Sequence, residues 1–173
     1  LGMAGHYGDG GPAALATLQA PYGVAAELGG GILVADTGNH RIRRVDPGGL
    51  IGTVAGNGTT TGRGEENVPA LQMPLHSPAA AVADGRGNLY VADTEADRVL
   101  MVDAEGRIST AAGNGSAGDC CDGGAAPLAQ LHGPHALAAD AAGNLYIADT
   151  LNHRVRKVDP DGVIRTIAGT GER

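Results

Sequence analysis

Three copies of one pattern fill this chain, and a tandem repeat narrows the choice of fold more than any other sequence feature. Asp36, Asp93 and Asp149 each sit in an Ala-Asp-Thr triplet, 57 and 56 residues apart, and Gly56, Gly113 and Gly169 recur at the same two spacings. Residues 35–58 and 148–171 agree at 16 of 24 positions without a gap, and residues 92–115 agree with the first copy at 13 of 24. Whatever one unit folds into, the chain holds three of it.

Each unit reads as four short strands. The first is Gly23–Ala26, echoed by Ala80–Ala83 and Ala136–Ala139, and the second is Ile32–Ala35, echoed by Leu89–Ala92 and Leu145–Ala148. The third runs Arg41–Val45, Arg98–Val102 and Arg154–Val158, and the fourth covers about Leu50–Ala55, Arg107–Ala112 and Val163–Ala168. Corners such as Asp84-Gly-Arg-Gly-Asn88 and Asp159-Pro-Asp-Gly162 start on Asp and carry Gly late, as a type I turn followed by a left-handed residue requires. Connections this short make neighbouring strands antiparallel.

The first two strands are apolar throughout rather than alternating, the pattern of a sheet covered on both faces. Four-stranded sheets stacked radially form a β-propeller, so the expected class is all-β, with three four-stranded antiparallel blades. Small alanines suit the crowded hub, and the arginines of the third strand are expected at the rim with their charges in water. The boundaries follow as a leading spacer with a short helix over 1–22, blades over 23–56, 79–113 and 135–173, and spacers over 57–78 and 114–134.

Composition agrees. With 42% hydrophobic residues the chain can form a core, and with 2% aromatics that core is Ala, Val, Leu and Ile. Thirty glycines without a collagen triplet mark turns. A net charge of −7, with Lys157 the only lysine, argues against nucleic acid as a partner. No run is long and apolar enough for a membrane span, and Leu1–Gly5 lack a secretory pattern. Lysine scarcity beside abundant Ala and Gly hints at a GC-rich bacterial source, and the compartment stays open. Cys120 and Cys121 are adjacent, a pair that would close a strained ring if bonded, and are expected as loop thiols, free or adventitiously oxidised, with their redox state left open.

Asp-Thr-x-Asn-His-Arg at 36–41 and 149–154, the following Val-Asp-Pro, the Thr-x-Ala-Gly strand ending and the Gly-Asp-Gly-Gly-Pro-Ala spacer at 8–13 resemble the NHL repeat family in its long bacterial form. The second unit departs from it with Glu95-Ala96-Asp97. The resemblance implies a six-bladed propeller, a fold used mostly for binding and occasionally for catalysis. Three units then cover half a ring, whose two bare flanks call for a cover. A homodimer closing the ring through a two-fold axis is expected, and the non-initiator start favours an excised or engineered segment.

In such a meander the six histidines share one face, while Asp46, Asp84, Asp103, Glu105, Asp140, Asp159 and Asp161 occupy turns on the other. Tyr22, His76, His132 and His135 lie beside the innermost strands, where a channel mouth would take a small-molecule or protein ligand. The thrice-repeated Asp36, Asp93 and Asp149, with Arg41, Arg98 and Arg154, read as structural partners, and His40 and His153 as hydrogen-bonding turn residues. No catalytic set, metal or cofactor is expected. His132 and His135 flank Pro134 in an extended segment without a third ligand, and Asp9, Asp119 and Asp122 lack the spacing of a calcium loop. The leading function is a non-catalytic binding scaffold. A metal-dependent lyase or lactonase at the channel mouth is the alternative, and RNA binding comes third.

Overall fold

Asp- and Gly-bearing corners turn the chain back on itself so regularly that three antiparallel sheets form in sequence order. The computed structural model describes residues 7–172, so His6 lies outside the described residues. The first blade holds β1 (Val24–Ala26), β2 (Ile32–Asp36), β3 (Arg41–Val45) and β4 (Ile51–Ala55), paired in that order. The second begins with a two-residue strand from the spacer, β5 (Val68–Pro69), then β6 (Pro78–Ala83), β7 (Leu89–Asp93), β8 (Arg98–Val102) and β9 (Arg107–Ala112). Its order is β5-β9-β8-β7-β6, so the spacer adds a rudimentary strand to the outer edge. The third blade is β10 (Pro134–Ala139), β11 (Leu145–Asp149), β12 (Arg154–Val158) and β13 (Ile164–Ala168). Single bridges, Pro12 to Leu50 and Ala125 to Val163, give the outer blades the same spacer contact.

The turn between β3 and β4 shows how sequence makes a corner. Asp46 Oδ1 accepts the Leu50 amide at 2.9 Å, and Gly49 takes φ +80, where a Cβ would be strained. The β2–β3 corner is a single 3-10 turn ended by His40 at φ 53, and Asp97 and His153 occupy the same left-handed position at φ 50 and 54. The expected short helix of the leading spacer is a one-turn 3-10 element, Ala13–Leu15.

Packing lies between blades. Leu33, Ala35, Ile42 and Ala55 meet Leu89, Val91, Leu100 and Ile108, with Ala70, Met73 and Leu75 of the spacer sealing the join. The second junction repeats this with Val99 and Ala112 against Leu145, Ile147, Val158 and Ile164, sealed by Ala126, Ala129 and Leu131. Val24, expected in the interior, is 73% exposed, because the first blade's outward face has no neighbour in this chain.

The arginines correct another expectation. Arg43, Arg98 and Arg156 are buried rather than wet at the rim. Arg98 binds Asp93 at 2.8 Å, whereas Asp36 and Asp149 are met by Arg43 (3.4 Å) and Arg156 (3.3 Å), not by Arg41 and Arg154. The reason is a second carboxylate: Asp9 reaches Arg43 at 2.6 Å and Asp122 reaches Arg156 at 2.7 Å, so both charges are paired twice under the spacer. Arg41 turns instead to the carbonyls of Asn39 and Asn57, and Arg154 to Asp119 and the Thr170 carbonyl.

Candidate functional site

Repetition explains most of the polar side chains. Each Ala-Asp-Thr aspartate reaches back 17 residues to the loop that opens its own blade. Asp36, Asp93 and Asp149 accept the amides of Gln19, His76 and His132 at 2.7, 2.5 and 2.7 Å. Their second oxygens take the arginines, and in the outer blades the amides of Asn39 and Asn152 as well. All three carboxylates are fully buried and engaged, as buried charges must be.

At the hub, side chains that vary between blades meet the repeated threonines. A cleft of about 560 Å³ opens where the blade-opening loops converge, and its walls include Tyr22, Thr37, Thr94, His132, His135 and Leu151. The rings of Tyr22 and His135 meet edge-on, 6.0 Å between centroids. His135 Nδ1 lies 2.8 Å from the Gly133 carbonyl, which fixes the ring and makes Nδ1 the protonated nitrogen. Three of the four expected mouth residues therefore come together.

His76 does not join them. It sits in a neighbouring hollow with Arg63, Glu95 and Gly115, its Nδ1 3.8 Å from the Asp93 carboxylate. Its equivalent in the third blade, His132, lines the cleft although Ser77 and Gly133 beside them share the same left-handed backbone at φ 53 and 58, so the backbone does not account for the difference. Glu95 and Asp97, which were not among the expected mouth residues, also line the hub cleft. The signal was available, because both lie in the same corner of the repeat as His40 and His153. The acids of the opposite face serve their own turns; Asp140, for one, accepts the Ala142 and Asn144 amides and the Tyr146 hydroxyl. Cys120 and Cys121 are joined in a disulfide, with Cys121 at φ 81. Among the described residues, no three His, Cys, Asp or Glu side chains converge on a point a metal could occupy, and no helix is long and apolar enough to cross a membrane.

The family model of the Teneurin NHL domain matches residues 116–173. These are NHL repeats. The NHL chain is 31% identical over 172 residues to teneurin-3 of Danio rerio, covering 90% of its own length, and 32% identical over 178 residues to teneurin-4 of Mus musculus, covering 94%. It spans 6% of the length of either relative. These relatives are vertebrate proteins and lend no support to the bacterial source expected from composition.

Solved structures of similar fold include a Bacteroides thetaiotaomicron protein of unknown function (TM-score 0.66, 20% identity, 82% of this chain and 36% of that one). A streptogramin B lyase (0.59, 16%, 84% and 39%) and a gluconolactonase from Xanthomonas campestris (0.61, 15%, 88% and 48%) share it too. At these identities the likeness is one of fold, and the NHL blades cover less than half of each neighbour.

Proposed function

We propose that this NHL chain is a non-catalytic scaffold: half of a six-bladed propeller, closed by a second copy through a two-fold axis, with a ligand-binding cleft at the mouth of its central channel. The division of labour among polar side chains carries the reading. The repeated Asp36, Asp93 and Asp149 are buried in structural ion pairs with Arg43, Arg98 and Arg156, and the side chains that differ between blades, Tyr22, His132 and His135, line the hub cleft. Concave mouths with a few polar groups are the usual place for a ligand. The ligand is a small molecule or a protein segment reaching the histidine-bearing face; a net charge of −7 disfavours nucleic acid.

A second reading, a metal-dependent lyase or lactonase at the same mouth, draws on the names of the two enzyme neighbours. Closure of the ring would bring a second set of His132 and His135 to the hub, so the test belongs on the assembled protein. Light scattering at micromolar concentration should give twice the chain mass. Elemental analysis should find no stoichiometric metal, and gluconolactone and a streptogramin B should pass unchanged. Stoichiometric metal with turnover of either compound would favour the enzyme, and retention of RNA in an electrophoretic shift at physiological salt would favour the nucleic-acid reading.

A further inference from the structure

Both internal blade junctions are stitched in one way. At each, the Thr of Ala-Asp-Thr donates to the carbonyl of the proline that opens the next blade: Thr37 to Pro78 and Thr94 to Pro134, both at 2.7 Å. The left-handed residue of the same corner accepts the amide just ahead of that proline. His40 Nδ1 takes Ser77 at 3.4 Å, and Asp97 Oδ1 takes Gly133 at 2.8 Å. Ser77 and Gly133 stand at φ 53 and 58 to present those amides. A leucine then seats against a glycine: a Cβ on Gly56 would stand 3.0 Å from Leu75 Cδ1, and one on Gly113 3.1 Å from Leu131 Cδ1.

The outer blades carry the two halves of a third junction of the same kind. Thr150 and His153 hold the positions of Thr37 and His40, with Thr150 Oγ1 already donating to Ala148 at 3.3 Å as Thr37 does to Ala35. At the other end Pro21 holds the proline position, and Ala20 ahead of it stands at φ 45, a conformation alanine avoids. Side-chain burial follows the same series. Leu18 is 36% exposed and Ile32 42%, where their counterparts Leu75 and Leu131 are at 0% and Leu89 and Leu145 at 3%. Ala168 is exposed on the third blade, while its counterparts Ala55 and Ala112 are fully buried.

We propose that a second copy of this chain closes the ring by repeating the internal stitch twice. Thr150 Oγ1 donates to the carbonyl of the partner's Pro21, His153 meets the amide of the partner's Ala20, and Leu18 seats against the partner's Gly169. A two-fold axis makes each copy supply both halves, so no unmatched face is left. The inference rests on the half-ring reading and adds to it the register and the side chains that hold it.

The test measures the dimer dissociation constant by sedimentation for the parent and for Leu18→Glu, Ala168→Glu and Thr150→Val. Leu128→Glu serves as a control, since Leu128 is 70% exposed in the 3-10 turn of the spacer between the second and third blades. The first two should weaken the dimer by roughly a hundredfold and Thr150→Val by about tenfold, with unchanged circular dichroism, and the control should match the parent. A parent that stays monomeric at all concentrations overturns the half-ring itself. A parental dimer that tolerates all three changes leaves the half-ring standing and overturns the stitch, because another surface then holds the copies together.

Discussion

Arg98 grips Asp93 through two nitrogens, Nε at 2.9 Å and Nη2 at 2.8 Å, and both side chains are buried. In the first and third blades the same aspartate is met from two residues further along the strand, by Arg43 and Arg156. The corresponding residue of the second blade is Leu100, which is part of the core. The charge has moved along the strand, and its place has been filled by hydrocarbon.

Arg98→Leu should therefore leave the Asp93 carboxylate buried and unpaired, at a cost of about 3–5 kcal/mol. Adding Leu100→Arg should restore part of that loss, because a guanidinium introduced there would reach Asp93 as Arg43 reaches Asp36. Glu66, which now binds the Thr110 amide and hydroxyl at 2.7 and 2.6 Å, stands in the position of Asp9 to supply a second carboxylate. Urea unfolding of the single and double variants measures the recovery, and a double variant no more stable than Arg98→Leu would contradict the exchange.

Val24 lies on the innermost strand of the first blade and Val91 on the next strand out of the second, one on an open face and one between blades, at 73% and 0% exposure. Val91→Asp should cost several kcal/mol or abolish folding, since the carboxylate has no partner there. Val24→Asp should change the monomer's stability by less than about 0.5 kcal/mol while weakening dimerisation. Thermal melts below and above the dimer dissociation constant separate the two effects.

The Cys120–Cys121 bond closes a loop too short to restrict the unfolded chain, so its removal should cost little. Cys121, at φ 81, occupies the place that Gly8, at φ +107, holds in the first spacer. Cys120→Ser with Cys121→Gly should stay within about 1 kcal/mol of the parent, the glycine relieving the left-handed backbone. Loss of several kcal/mol in chemical unfolding would show that the bond holds Asp119 and Asp122 on their arginines.

Asp140 is held at about 2, first by the Asn144 side chain, then by the Asn144 amide. Asp159 is likewise lowered, chiefly by the Val163 amide. Both carboxyls titrate lower in the folded chain than unfolded, so their contribution to stability is complete above about pH 4 and is lost as pH falls towards 2. Melting temperature should drop across that window, and Asp140→Asn should flatten the drop; carboxyl NMR of the parent gives the titration directly.

The blades and corners were legible because their causes are local and occur three times. An Asp that starts a turn and a Gly that ends it need no distant partner to act. The arginine partners were not legible, since the choice between Arg41 and Arg43 is made by Asp9, which lies 34 residues from Arg43 and meets it only when the spacer folds over the outer strand. His76 and His132 hold one repeat position and only His132 lines the cleft, a difference that the repeat pattern does not carry. Tyr22 and His135 were found because they break the repeat just ahead of the innermost strand. The acids Glu95 and Asp97 break it as well, and the strand order already placed them at the hub.

The stitch between blades has a direction, since the corner of one blade always catches the loop that opens the next. Repeats joined in this way allow whole blades to be added or lost by gene duplication without inventing a contact. In the ring proposed above, the number of blades that closes is fixed by the angle each turns through, and a sequence change that alters this angle slightly would leave an open, growing filament instead.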